Sequence, residues 1–147
     1  MKNFRDALKQ RGRRFFDGGI GTMLQAAGLP AGMSPEGFAI GRPAVMSSIH
    51  KAYINTGADV VTTNTFGASR CKLPKGTDVT AFNRTLAGYA CSAAQGTSAF
   101  VVGSVGPTGI FLRPLGPLSF KELIAIFREQ IRGLVQGGVD LILAETQ

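Results

Sequence analysis

The sequence predicts an α/β fold in which about four parallel strands alternate with helices. Three observations predict it: four short apolar runs, amphipathic segments of helical length between them, and a repeat within the chain. The apolar runs occupy residues 14–16, 59–63, 100–104 and 140–144. They are rich in Val, Ile, Leu or Phe and lack polar alternation, which is typical of strands covered on both faces of a parallel sheet.

A basic segment opens the chain and predicts a short helix over residues 1–12, with Phe4, Ala7 and Leu8 on its inner face. Residues 1–14 hold six of the sixteen Lys and Arg residues and a single acid, so much of the formal net charge of +7 is local. A basic arm suits nucleic acid, but the body of the chain is nearly neutral and few aromatic residues are interleaved with the basic ones. We therefore expect a solvated helix and no nucleic-acid partner.

Two central segments carry helix start and stop signals. In the first, Pro43 stands at a suitable first helical position and Gly57 lies just past the end. In the second, Thr77 is the predicted N-cap, Asp78 falls in the first turn and Gly96 follows the end. Both segments place apolar residues on one face at helical spacing, so each predicts a helix that covers the sheet.

The last helix and the repeat complete the pattern. Ser119 and Glu122 form a capping box, and Gly137 ends the helix that follows. Residues 56–65 (TGADVVTTNT) align without gaps on residues 137–146 (GGVDLILAET). A repeated crossover unit favours a parallel (β/α) barrel over an open doubly wound sheet, without excluding the latter.

Polar residues follow all four predicted strands. The strand ends carry Asp17-Gly18-Gly19, Thr63-Asn64-Thr65, Ser104 with Gly106, and Glu145-Thr146. In parallel α/β folds the ligand site lies at the carboxyl ends of the strands, so these groups predict a site on one rim. Each one alone is also explained by helix capping or by the hydrogen bonds of turns.

The chemistry at this rim suits an amino-acid ligand. Two carboxylates, Asp17 and Glu145, suit an ammonium group, a metal ion or acid–base work. The turn at Gly18 and Gly19 offers backbone N–H groups to a carboxylate or phosphate, although its spacing is not that of a nucleotide-binding loop. An ammonium and a carboxylate on one ligand describe an amino acid.

Cysteine and histidine usage gives little sign of a site within this chain. Cys71 and Cys91 are twenty residues apart with no C-x-x-C motif, so we expect two reduced thiols, a cytoplasmic location and no metal site in these residues. The single histidine, His50, lies in mid-helix and is expected to be structural. No apolar run approaches the length of a membrane span.

Several long motifs, in order, resemble the homocysteine S-methyltransferase family, which includes the homocysteine-binding module of cobalamin-dependent methionine synthase and betaine-dependent relatives. The motifs are DGGIGTML, SPE, RPAVMSSIHKAYINTGADVVTTNTFGASRCKL, VVGSVGPTG and GGVDLILAET. The resemblance implies an eight-stranded barrel of the TIM type in which zinc holds the homocysteine thiol as a thiolate. The thiolate attacks a methyl group on a donor, which is methylcobalamin in some larger relatives, and methionine leaves.

The resemblance also assigns residues. Asp17 and Glu145 match positions that contact the homocysteine amino group, Gly18 and Thr63 match positions near the amino-acid moiety, and Ser104 lies on the same rim. The resulting set of expected substrate-binding residues is Asp17, Gly18, Gly19, Thr63, Asn64, Ser104 and Glu145.

The chain departs from the family pattern in one respect. The three zinc-binding cysteines of the family lie in the second half of the barrel, and neither Cys71 nor Cys91 matches them. We therefore expect residues 1–147 to form the N-terminal half of the barrel, truncated to about four strands, with no catalytic residue of its own and with zinc ligands outside the chain. A second-half chain or a homo-oligomer would cover its open edges. The alternative is an inactive orphan half-barrel that self-associates or pairs with another chain.

Overall fold

The computed structural model describes residues 3–146. Six helices and three strands are assigned within them. The helices are α1 (Phe4–Arg11), α2 (Ile20–Ala26), α3 (Pro35–Ala39), α4 (Pro43–Asn55), α5 (Val79–Ala93) and α6 (Phe120–Gln136), and the strands are β1 (Val60–Thr62), β2 (Phe100–Val105) and β3 (Leu141–Ala144). The short helices α2 and α3 were not predicted from the sequence. None of the described helices has both the length and the apolar character needed to cross a bilayer.

The three strands form one parallel sheet in the order β1-β2-β3. Val60 pairs with Phe100 at one end, and Ser104 pairs with Leu143 near the other. The predicted parallel α/β architecture is therefore confirmed. Three strands do not close on themselves, so the described residues form a parallel sheet, and the barrel remains a prediction.

The prediction of a first strand at residues 14–16 is wrong. Only Phe16 makes a parallel bridge, to Val60. Residues 15–17 nonetheless lie beside the start of β1. Asp59 and Val60 both donate backbone hydrogen bonds to the Phe15 carbonyl, and Asp17 donates one to the Val60 carbonyl at 2.9 Å. The two glycines after Asp17 turn the chain away towards α2, so the pairing ends after a single bridge.

The internal repeat has a structural counterpart. Asp59 and Asp140, which occupy equivalent repeat positions, each stand just before a strand. The Asp59 carboxylate accepts the Phe15 N–H at 3.1 Å, and the Asp140 carboxylate accepts the Val101 N–H at 2.8 Å. Each aspartate thus binds a backbone N–H of the preceding strand segment, which fixes the register of the two neighbours.

Side chains on the sheet alternate between two faces. Val61 and Val101 pack against Ala90 of α5 and against Ala94, the C-cap of that helix. Val60, Phe100 and Val102 point to the opposite face and pack against Phe4 and Ala7 of α1, with Leu141 and Leu143 beside them. Because strand residues alternate, Ser104 and Glu145 continue this second face towards the carboxyl ends of the strands.

Helix α1 matches the predicted basic helix, of which residues 1 and 2 lie outside the described part. Asn3 is its N-cap, and the Phe4 ring meets the Phe100 ring edge-on at 5.2 Å. Arg14 ties the helix to the sheet, because its guanidinium donates to the Ala7 carbonyl at 2.6 Å and pairs with Asp59 at 3.1 Å. The helix therefore covers the amino-terminal side of the second face and leaves the carboxyl ends open.

The predicted helix caps are confirmed except for one. Pro43 is the first residue of α4, and Ser119 and Glu122 form the capping box of α6. The N-cap of α5 is Asp78 and not Thr77. The Asp78 carboxylate accepts the Ala81 N–H, whereas the Thr77 hydroxyl donates to the Pro74 carbonyl and belongs to the preceding turn.

Candidate functional site

A cavity of about 600 Å³ opens at the carboxyl ends of the strands. Of the seven predicted site residues, five line it: Asp17, Gly18, Asn64, Ser104 and Glu145. The remaining lining residues are Phe16, Ile20, Gly21, Pro35, Glu36, Thr62, Phe66, Gly67 and Leu143. The five predicted residues come from four separate stretches of sequence, as the strand-end pattern predicts, and α3 contributes a fifth stretch.

Thr62 holds Asp17 in place. Its backbone N–H donates to Asp17 Oδ2 and its hydroxyl donates to Asp17 Oδ1, each at 2.7 Å. Burial raises the pKa of Asp17, although the two Thr62 hydrogen bonds act in the opposite direction; the nearby Glu145 carboxylate raises it further. A half-buried, pre-oriented carboxylate whose ionisation is disfavoured is a good partner for a ligand cation, which would favour the ionised form.

Ser104 holds the second predicted carboxylate. Its hydroxyl donates a short hydrogen bond to Glu145 Oε1. The Glu145 backbone N–H donates to the Val105 carbonyl at 3.0 Å, which extends the β2–β3 pairing one residue beyond β3. Both the backbone and the side chain of Glu145 are thus fixed by β2.

Thr63 supports the site from behind the cavity lining. Its side chain is buried, and its hydroxyl lies 2.6 Å from that of Thr65 and accepts the Ser104 N–H at 3.0 Å. The Thr65 hydroxyl donates to the Ser104 carbonyl at 2.8 Å, so the proton between the two threonines comes from Thr63. These contacts join the loop after β1 to β2 at the residue that holds Glu145.

Gly19 also lies behind the lining, as the N-cap of α2. Its carbonyl accepts hydrogen bonds from Thr22 Oγ1 at 2.9 Å and from the Tyr53 hydroxyl at 3.3 Å. Gly18 faces the cavity, and a Cβ at this position would lie 3.1 Å from the Tyr53 ring. The Gly18–Gly19 turn is therefore packed closely against α4.

Sequence reasoning missed the contribution of α3. Asn64 Nδ2 donates to the Pro35 carbonyl at 2.9 Å, and the Gly67 N–H donates to Glu36 Oε1. Both bonds join α3 to the loop after β1. The signal that could have found Glu36 is the SPE motif, since Ser34 caps α3 by accepting the Gly37 N–H and so places Glu36 in the first turn.

The cavity has an acidic lining. Asp17, Glu36 and Glu145 face it, and no Lys, Arg or His among the described residues lines it. Neither Cys71 nor Cys91 lines it or forms a disulfide within the described residues, and the half-buried Cys91 packs against the core cluster that contains Val61. Within residues 3–146, no three His, Cys, Asp or Glu side chains are grouped closely enough to hold a metal ion.

The sequence comparisons identify the family. A family model described as Homocysteine S-methyltransferase matches residues 14–147. The chain belongs to the homocysteine S-methyltransferase family. The match begins beside the Phe16 bridge and includes all three strands and every residue of the cavity lining.

Two curated relatives of this chain are methionine synthases. The protein from Mycobacterium tuberculosis is 33% identical over 156 residues, and that from Mycobacterium leprae is 32% identical over 145 residues. These alignments cover 96% and 88% of this chain but only 13% and 12% of the relatives.

Solved structures of the homocysteine methyltransferase MmuM from Escherichia coli share the fold. The oxidised form has a TM-score of 0.81 at 23% identity and the metallated form 0.80 at 24% identity. The superpositions cover 96% and 98% of this chain and 56% and 57% of MmuM. The chain therefore spans a little over half of the MmuM structures that it matches.

Proposed function

We propose that this chain supplies the amino-acid-binding part of a homocysteine S-methyltransferase site, within the N-terminal half of a (β/α)8 barrel. The observation that carries the proposal is the placement of the Asp17 and Glu145 carboxylates, each fixed by a neighbouring strand, on one cavity at the carboxyl ends of a parallel sheet. Membership of the family supports homocysteine as the ligand.

Each part of the ligand has a suitable partner in this site. The ammonium group of homocysteine pairs with Asp17 and Glu145, because an acidic cavity favours a cation. Its carboxylate is received at Gly18, the residue of the Gly18–Gly19 turn that faces the cavity, and Asn64 and Ser104 complete the polar lining. Thr63 acts indirectly, by fixing Ser104.

The ligand side chain faces the apolar part of the lining. Phe16, Phe66 and Leu143 supply this wall. A short apolar chain that ends in a thiol suits such a surface better than a second charged group does, because burying a charge without a partner is costly.

The resemblance implies zinc, but the side chains of the described residues do not fit a zinc site. Asp17, Glu36 and Glu145 line one cavity without being grouped as metal ligands, and the two cysteines lie elsewhere. We therefore derive no step of methyl transfer through the metal. The zinc ligands and the methyl donor, methylcobalamin in some larger relatives, are proposed to come from outside the described residues.

The direct test is calorimetric titration of the purified chain with L-homocysteine, with D-homocysteine as the stereochemical control. We expect the L form to bind more tightly, and we expect both Asp17→Asn and Glu145→Gln to weaken it. Glu129→Gln is the matched control, because Glu129 pairs with Arg70 outside the cavity. Equal binding of the two stereoisomers, or no effect of either cavity substitution, would contradict the proposal.

A second candidate function, an inactive half-barrel that self-associates or pairs with another chain, is favoured by the sheet edge. Strand β3 pairs with β2 on one side, and no described strand lies on its other side. Phe111 and Leu115, in the loop between β2 and α6, are largely exposed. Sedimentation of the chain, together with the titration above, distinguishes the two candidates. A stable homodimer that binds no homocysteine supports the inactive form.

A further inference from the structure

Glu36 is a buried carboxylate outside the predicted site set, and its side chain is tied to the cavity wall. It is 5% exposed and lies in the first turn of α3, yet it accepts a hydrogen bond from a different segment, the Gly67 N–H. A buried carboxylate is costly unless hydrogen-bonded. Its contact with the loop after β1 therefore defines its position.

Gly67 leaves little room for a side chain opposite Glu36. A Cβ on Gly67 would lie 2.8 Å from Glu36 Oε1 and 3.1 Å from its Cδ. Carbon atoms do not approach carboxylate oxygens so closely, so the Glu36 side chain would have to shift to admit a Cβ at Gly67.

Phe66, the neighbour of Gly67, is held from the other side. Its carbonyl accepts the Gly106 N–H at 3.1 Å, and a Cβ on Gly106 would lie 2.7 Å from two of its ring carbons. The Phe66–Gly67 pair is therefore fixed between Glu36 of α3 and the loop after β2. Both residues line the cavity.

We propose that Glu36 is a positioning residue that sets the apolar wall of the cavity by holding Gly67, and through it Phe66. Its carboxylate acts as a hydrogen-bond acceptor for the loop and not as a direct partner of the ligand. The inference rests on the proposed function only for the identity of the ligand, because the contacts between Glu36, Gly67 and Phe66 exist in the chain itself.

The first test is the amide NMR signal of Gly67 in the full 147-residue chain. The Gly67 N–H should exchange slowly with solvent in the wild type and in Glu36→Gln, since the amide oxygen can replace the carboxylate as acceptor. Exchange should be at least about tenfold faster in Glu36→Ala, where the acceptor is lost. Unchanged protection of Gly67 in Glu36→Ala would overturn the proposal, and this outcome does not depend on any ligand.

The second test measures L-homocysteine affinity in the same variants. Glu36→Ala should weaken binding by about tenfold, and Glu36→Gln should restore most of it. An equal loss in both variants would show that the charge of Glu36 contacts the ligand, which overturns the positioning role. If the wild type binds no homocysteine, the proposed function fails while the Gly67 exchange result still decides this inference.

A double-mutant cycle of unfolding free energies separates the Glu36–Gly67 contact from a general loss of folding. Gly67→Ala should destabilise the chain in the presence of Glu36, because its Cβ meets the carboxylate. In the Glu36→Ala background the same change should be much less destabilising. Equal effects of Gly67→Ala in both backgrounds would contradict the proposed contact.

Discussion

Thr62 donates a hydrogen bond to each of the two carboxylate oxygens of Asp17. The Thr62 N–H and hydroxyl each donate to a different Asp17 oxygen at 2.7 Å. A carboxylate has about four lone-pair positions, so this contact leaves acceptor capacity for a ligand on each oxygen. The geometry makes Asp17 both fixed and available, and it allows several specific substitutions to be interpreted.

Asp17→Asn is expected to weaken L-homocysteine binding by about tenfold or more, because it removes a charged partner of the ammonium group. Folding should be little affected. The Asn amide oxygen can accept the Thr62 N–H, and the amide nitrogen can donate to the Thr62 hydroxyl. Calorimetry and urea unfolding on the same samples measure the two effects, and a large loss of stability with normal affinity would refute the assignment.

Thr62→Val is expected to shift the pH dependence of ligand binding upwards. The pKa of Asp17 is raised by burial, and the hydrogen bonds from Thr62 partly counteract this. Removing the hydroxyl should raise the pKa further, so affinity for an ammonium ligand should begin to fall at a higher pH as the solution is acidified.

Acidification affects folding stability through Asp17 in the opposite direction to ligand affinity. Because its folded-state pKa is raised above 3.8, its contribution to the unfolding free energy is fully present below that value and is lost as pH rises through the folded pKa. A carboxyl-carbon NMR titration of Asp17 in the wild type and Thr62→Val measures both pKa values directly. A Thr62→Val variant with an unchanged or lower Asp17 pKa would rule out the hydroxyl as a stabiliser of the charge.

Glu145→Gln is expected to weaken L-homocysteine binding while keeping the local geometry. Ser104 can still donate its hydroxyl hydrogen bond to the glutamine oxygen, so the negative charge is removed while this contact is kept. Ser104→Ala provides the complementary test, since it keeps the charge of Glu145 and removes its support. We expect the loss of affinity to be larger for Glu145→Gln, and the reverse order would mean that orientation matters more than charge.

The strand-end rule predicted most of the polar lining because parallel strands align their carboxyl ends. Asp17, Asn64, Ser104 and Glu145 are distant in sequence but line one cavity. Periodicity and capping signals located α4 and α6 because these signals lie within the helices themselves and at their ends. The repeat also has a structural counterpart, since Asp59 and Asp140 bind neighbouring backbone in the same way.

The remaining features depend on contacts that no local pattern encodes. Whether Thr62 or Thr63 faces the cavity depends on where β1 ends, and a shift of one residue reverses the face. The role of Glu36 depends on a bond to Gly67, which is 31 residues away. The strand predicted at residues 14–16 does not form, because the glycines after Asp17 redirect the chain within two residues of the Phe16 bridge.

Gly57→Val is expected to lower stability by about 1–2 kcal/mol, because Gly57 has φ of 98° and a branched side chain disfavours positive φ. The cost is conformational, since a Cβ at Gly57 would meet no atom within 4 Å. Gly57→Asn is the matched control, because Asn tolerates positive φ better. Urea unfolding should rank the stabilities as wild type, Asn and then Val, and a Val variant as stable as the wild type would contradict this account of the end of α4.

His50→Leu is expected to flatten the pH dependence of stability between pH 4 and 6.5. His50 is fully buried in α4, neither ring nitrogen has a hydrogen-bond partner among the described residues, and burial lowers its pKa from 6.5 to about 4. In this interval the unfolded chain binds a proton that the folded chain does not, so the unfolding free energy falls as pH drops. The full effect at pH 4 is at most about 3 kcal/mol.

The Leu variant should be at least as stable as the wild type at pH 7, because it replaces two unpaired buried nitrogens with apolar atoms of similar volume. Urea unfolding at pH 7, 6, 5 and 4.5 measures both curves. The two curves should diverge below pH 6.5, with the wild type losing stability faster. If they run parallel, another group carries the acid sensitivity, and His50 finds a partner or solvent when it is protonated.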